Sequence, residues 1–373
     1  MDLTLPVLGL DVSKATLDVK LSSDKQRRLF KRVANTLDGL EQLQGWLEAH
    51  SVARVHVCLE ATGTYHDLAA LFFFERGHQV SVLNPARVKA FRISEGMVSK
   101  TDRQDALLLA RFGEQKRPGL WKPTPALIEQ MQVLLGRLDD RAKMQRQESN
   151  RLENGRLDEE TRREIMEHVA WVERMRKQCK RRVLTLVAGS HEPSPEAGEQ
   201  QEPMAGGKPA TPVPSSAPTS ASPSSEQVFL GCQVLASLPG IGALTAARLY
   251  SVYWDHERFG KAGSLVHYAG ISPAHNEAGT SVRGAACIAR AGNADVRRWL
   301  YMCAIVATTH DPDFRHWKQE LQARGKKGWV ILTAVMRKLL HLVHGVLKSG
   351  EAYDAHKAWP THYRDVQEEK HVA

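Results

Sequence analysis

A chain of 373 residues with 42% hydrophobic content is too long for one ordinary core and too apolar for a disordered tail, so two or three globular domains are expected. The formal net charge of +9 points to a polyanionic partner, of which nucleic acid is the commonest. Five scattered cysteines (Cys58, Cys179, Cys232, Cys287, Cys303) without a C-x-x-C pair argue against a zinc ribbon or a disulfide framework and fit a reducing cytoplasm. No signal peptide is visible ahead of the first strand, and the apolar stretch Leu68–Phe74 is far shorter than the roughly 20 residues of a membrane span.

In chain order, Val7–Leu10 is a short apolar run, and Leu17–Leu21 alternates as a second strand. Asn35–His50 carries Leu37, Leu40, Leu43 and Leu47 at helical spacing; Arg54–Leu59 reads as a strand, Leu68–Arg76 as a helix and Gln79–Leu83 as a strand. This order predicts an α/β layer domain over residues 1–125. From 126 to 189 the pattern becomes long charged helix, with Leu127, Met131, Leu134, Leu135 and Leu138 as an apolar stripe among many Arg and Lys. Such a stretch suits a dimerising helical arm, and its basic face also suits phosphates. Residues 190–227 are rich in Pro, Ser, Ala and Gly and are expected to be a flexible linker. A mostly helical domain follows over 228–350, then a polar tail over 351–373.

Four acids stand out. Asp11 follows the first strand directly, and Glu60 ends another, just before a Gly-containing turn. Each alone reads equally as a turn cap, but on neighbouring strands the two would meet at one sheet edge. Asp102 and Asp105, at i and i+3, share one face at the start of the helix Ala106–Phe112, where the helix dipole also favours acids. Together these carboxylates can hold two hard divalent cations about 4 Å apart, an arrangement that serves phosphodiester transfer.

In the second domain, Leu238-Pro239-Gly240-Ile241-Gly242 before Leu244-Thr245-Ala246 resembles a helix-hairpin-helix turn. Gly240 and Gly242 could let backbone amides face a phosphate, although a turn between packed helices would read the same. The Gly-, Ser- and Thr-rich loop from Glu277 to Gly284, with Arg283, Arg297 and Arg298, suits a nucleic-acid backbone.

These segments resemble the DEDD-type transposases of the IS one-ten group of insertion sequences. The resemblance rests on Gly9-Leu10-Asp11, Glu60-Ala61-Thr62-Gly63-Thr64-Tyr65, Ser81-Val82-Leu83-Asn84-Pro85, Lys100-Thr101-Asp102 with Asp105, the Leu238–Gly242 turn and the Glu277–Gly284 segment. It implies an RNase H-like (RuvC-like) N-terminal domain, a coiled-coil arm and a C-terminal transposase domain, with Mg²⁺ (or Mn²⁺) on Asp11, Glu60, Asp102 and Asp105. It further implies cutting and rejoining of donor and target DNA under a structured guide (bridge) RNA. The family uses a serine nucleophile and acts as a homo-oligomer, a dimer or tetramer whose site combines two protomers.

One position departs from that pattern. Ala278 stands where the family's nucleophilic serine would stand, and an alanine has no hydroxyl to join to DNA. Either the serine was deliberately replaced or the natural element has lost it; the intact carboxylates favour replacement. Ser281, three residues on, would have to reach the same phosphorus from a different loop position. Three other functions compete: a junction-resolving nuclease on the same fold, a non-catalytic nucleic-acid-binding derivative, and an actin-like ATPase with Gly9–Lys14 as phosphate loop.

Overall fold

The computed structural model describes residues 5–22, 29–61, 63–97, 101–153, 155–188, 223–274, 277–278, 282–283, 287–289 and 291–359. These fall into two compact units that divide between Thr124 and Pro125.

In the first unit, β1 (Val7–Val12), β2 (Thr16–Leu21) and β3 (Phe30–Ala34) form an antiparallel meander. After α1 (Leu37–Ala49), β4 (His56–Glu60) adds parallel to β1. Then α2 (Asp67–Glu75) leads to β5 (Gln79–Leu83), parallel to β4, so the sheet order is β3-β2-β1-β4-β5. Two more helices complete the unit, α3 (Pro85–Ser94) and α4 (Asp102–Lys116). Local chemistry sets the helix starts: the side chains of Thr36, Asn84 and Thr101 accept backbone N–H groups at the openings of α1, α3 and α4.

Both sheet faces are covered. Leu8, Leu10, Leu17, Val19, Val57 and Leu59 pack with Leu40, Leu43 and Leu47 of α1 and Ala69, Ala70 and Phe73 of α2. On the other face, Val7, Cys58 and Leu83 meet Val88 and Phe91 of α3 and Leu108, Leu109 and Phe112 of α4. Asp18 and Lys20 on β2 are accordingly buried despite their charge, because the face they share carries α4.

The second unit opens with α5 (Ala126–Leu152) and α6 (Glu159–Ala188), an antiparallel hairpin. Its register shows where Cys179 Sγ bonds the Leu134 carbonyl and Arg141 bonds the Met175 carbonyl. The apolar stripe of α5 enters the unit's main core, so the root of the expected arm is part of the globule rather than a free extension. Next come α7 (Ser225–Ala236), α8 (Ala243–Tyr253), a 3-10 turn and α9 (Ala262–Tyr268). The expected linker is therefore shorter at its end, since Ser224 and Gln227 form a reciprocal capping box for α7. Residues 190–222 lie outside the described residues.

Where an irregular loop is expected, two nested ladders occur: β6 (Pro273–Ala274) pairs with β9 (Cys287–Ile288) around β7 (Glu277–Ala278) and β8 (Val282–Arg283). The rest is helical: α10 (Ala294–His310), α11 (Pro312–Ala323), α12 (Gly328–Ser349) and the single turn α13 (Ala355–Ala358). By length and composition α12 is apolar enough to cross a membrane, a stretch longer than Leu68–Phe74 that sequence reading overlooked. Its Val335, Leu339, Leu340 and Val343 are fully buried in the core of this unit, which explains the apolarity without a bilayer. The tail likewise begins later than expected, because Trp359 packs edge-on against Phe314.

Candidate active site

The approach of α4 to β1 decides the geometry. A Cβ on Gly9 would lie 2.2 Å from the Ala106 carbonyl oxygen and 2.5 Å from the Ala110 nitrogen, and one on Gly113 would lie 2.6 Å from Cys58 Sγ and from Val7. Val7 thus sits under the end of α4, Gly9 under its middle, and Asp11, two residues on and on the same face, under its first turn. That first turn carries Asp102 and Asp105.

Neighbouring strands place further acids beside Asp11. Asp18 lies directly opposite it in the β1–β2 ladder, and Glu60 ends β4, two residues beyond the Cys58 that pairs with Gly9. Burial pushes the Asp11 carboxyl up to about 6, and Asp105, Asp102, Asp18 and Glu60 add to the push in that order. The structure therefore gathers all four sequence-predicted acids into one electrostatic neighbourhood and adds Asp18.

Two arginines face this charge. Arg32 on β3 donates from Nε to both oxygens of Asp18 at 2.9 Å and from Nη2 to Asp18 and Asp102, each at 2.7 Å. Arg92 on α3 pairs with Asp105, whose side chain is only 14% exposed. Asp105 therefore points inward rather than to solvent. Among the described residues, no three His, Cys, Asp or Glu side chains close into a ready metal cage; the acids are engaged by guanidinium groups instead. Asn35 ties the surrounding loops, its amide donating to the carbonyls of Ser13 after β1 and Tyr65 after β4.

Asp18, Arg32, Arg92 and Asn35 escaped sequence reading. The hairpin spacing between Leu10 and Leu17 could have revealed Asp18, because it sets the register that puts two acids side by side. The other three depend on packing that no local pattern encodes.

The second-unit candidates are more dispersed. Gly240 has a positive φ of 77°, and a Cβ there would lie 2.3 Å from the Cys303 carbonyl oxygen of α10. Its glycine is thus required by helix packing. Gly242 caps α8 and faces open space. Arg297 donates to the carbonyls of Ala269 and Gly292, bracing the loop before α10. Arg298 contacts Asp139 and Asp295. Ala278 and Arg283 occupy β7 and β8, where Ala278 pairs with Val282 and Glu277 with Arg283; Ser281 lies outside the described residues. A groove of about 410 Å³ lies between α5, α6 and α8, lined by Arg176, Lys177, Lys180 and Arg248 together with Asp139 and Glu173.

Two sequence families match this chain. One, described as Transposase, covers residues 8–159; the other, described as Transposase IS116/IS110/IS902 family, covers residues 232–319. The chain belongs to the IS110 family of transposases. The pilin gene-inverting proteins of Moraxella bovis and Moraxella lacunata are each 26% identical over 93% of the chain and 97% of their own length. An uncharacterized protein of insertion element IS110 from Streptomyces coelicolor is 32% identical over 33% of the chain and 30% of its own length. IS110 transposases and recombinases are DNA-modifying enzymes, which sets aside the ATPase.

Proposed function

We propose that this IS110 chain is an RNA-guided DNA recombinase whose RNase H-like first unit holds divalent metal on Asp11, Glu60, Asp102 and Asp105. The observation that carries the reading is the gathering of carboxylates around Asp11, at the ends of β1 and β4 and the first turn of α4. The donor set fits a hard cation: it offers oxygen ligands only, and five acids (the four and Asp18) outnumber Arg32 and Arg92. Magnesium or manganese held there by Asp11, Glu60, Asp102 and Asp105 would supply Lewis-acid chemistry to a phosphodiester.

The strand order β3-β2-β1-β4-β5, with an acid on the central strand, supports the RNase H-like assignment. The α5–α6 hairpin serves as the coiled-coil arm through which copies of the chain assemble, and exposed Met166 and Trp171 supply apolar surface for it. The basic groove beside α6, the open N-terminus of α8 at Gly242, Arg283 and Arg298 contact donor DNA, target DNA or guide RNA through their phosphates. The relatives named for inverting a pilin gene support recombination rather than simple cleavage. The chain works in the cytoplasm.

Ala278 leaves this chain able to bind its nucleic acids but unable to form a covalent link to DNA. In Ala278→Ser, the new Oγ attacks a backbone phosphorus, and the displaced sugar oxygen leaves as a hydroxyl after taking up a proton. Denaturing electrophoresis of that variant with guide RNA, Mg²⁺ and labelled DNA should show a shifted covalent band, and Asp11→Asn should remove it. If the serine variant gives no band while Ser281→Ala abolishes activity of the original chain, the nucleophile is assigned wrongly. If neither reacts with any DNA, the chain is a non-catalytic binding derivative.

A further inference from the structure

From β3, Arg32 reaches past Asp18 on the adjacent strand to Asp102, an acid of the candidate site on α4. Asp11, Asp18 and Arg32 form one row across β1, β2 and β3, since Asp11 is paired with Asp18 and Asp18 with Arg32. Side chains at directly paired positions lie on the same sheet face, and here that face carries α4. Asp18 is 6% exposed and holds the guanidinium by a bidentate contact. The remaining reach of the same Nη2 goes to Asp102, whose side chain is 64% exposed. One end of the bridge is thus buried and fixed, and the other is free to exchange.

We propose that Arg32 is a built-in counter-cation, a latch that pins Asp102 to Asp18 in the absence of metal and must release Asp102 for a divalent cation to bind. The inference rests on the metal reading given above. A guanidinium anchored on a buried carboxylate cannot drift away with its charge, because leaving would strand Asp18 in the interior. Asp102, by contrast, only swaps one cation for another, with Thr101 still capping α4. Arg32 therefore sets a threshold: it offsets part of the charge of an acid-rich site and holds Asp102 in place, and it lowers affinity for metal. It is a positioning residue, acting through Asp102.

The test is Mn²⁺ binding to the full chain at pH 7.5, followed by electron paramagnetic resonance of the free ion, with no catalytic readout. Removing a positive charge beside a dication should make Arg32→Gln bind Mn²⁺ about tenfold more tightly. Because that variant leaves Asp18 unpaired and can fail to fold, Asp18→Asn/Arg32→Gln is the companion. It loses one charge of each sign, so its net charge is unchanged, and because losing the Asp18 carboxylate works against cation binding, any tightening reports release of Asp102. An exposed ion pair of this kind corresponds to about threefold. Equal or weaker binding by the double variant overturns the latch. Absence of saturable Mn²⁺ binding by the wild-type chain overturns the metal reading and the latch with it.

Discussion

Asp11 carries the most perturbed carboxyl of the candidate site, and its perturbation has a sign. Burial and its acidic neighbours hold the proton up to about 6, so the folded chain binds it more tightly than the unfolded chain does. That contribution favours folding at acid pH and is lost as the pH rises through about 6, leaving uncompensated repulsion at neutrality. Added Mg²⁺ should therefore raise the melting temperature more at pH 7.5 than at pH 5, where the proton already occupies the site. Asp11→Asn should melt higher than wild type in EDTA and lose the Mg²⁺ response; equal Mg²⁺ shifts at both pH values would contradict the assignment. At this scale the sequence was informative where an acid ends a strand or opens a helix, as with Asp11, Glu60, Asp102 and Asp105. Arg32 and Arg92 were illegible because their importance depends on which strand or helix lies next to them.

The decisive element is α4, and Gly9 is what lets it lie flat on β1. Gly9→Ala would drive a methyl into the backbone of α4 at Ala106 and Ala110, where no side chain can swing aside. Overpacking of this kind costs about 1–3 kcal/mol, and lifting α4 would also carry Asp102 and Asp105 away from Asp11. Chemical denaturation should show that loss together with weakened Mn²⁺ binding, whereas Gly119→Ala, with open space around it, should change neither. A Gly9→Ala chain as stable as wild type would mean that β1 and α4 are not in contact. Elements with strong periodicity, such as α1, β4, α2 and β5, could be read from the chain directly. The edge strand β3 could not, because Phe30–Ala34 is short and half charged, and its identity comes from pairing with β2. The same holds for the ladders β6–β9, each only two residues long.

Across the whole molecule, charge is the property that composition conveys and placement refines. A net +9 predicts salt-dependent binding to nucleic acid, and the groove beside α6 says where part of that dependence resides. Replacing both Arg176 and Lys180 by Ala should lower the slope of log affinity against log salt by about 2, near one per lost phosphate contact, with the fold intact. An unchanged slope would place the nucleic acid elsewhere. The division into an α/β unit and a helical unit was legible from the change of period near residue 125. The limits of the linker and tail were not, because capping by Ser224 and burial of Trp359 are events of packing rather than of composition.

Cys58 lies on β4 directly beneath Gly113, fully buried, with its thiol pushed up to about 12. Only a thiolate reacts, so an alkylating reagent can reach this sulfur only while α4 has lifted from the sheet. The protein therefore contains a clock on the helix that bears Asp102 and Asp105. Peptide-resolved alkylation over time should mark exposed Cys287 first and Cys58 at a rate set by the opening equilibrium of α4. Mn²⁺ should slow the Cys58 step while leaving Cys232, buried in the other unit, at its own pace. Simultaneous slowing of both would mean that the two units open as one.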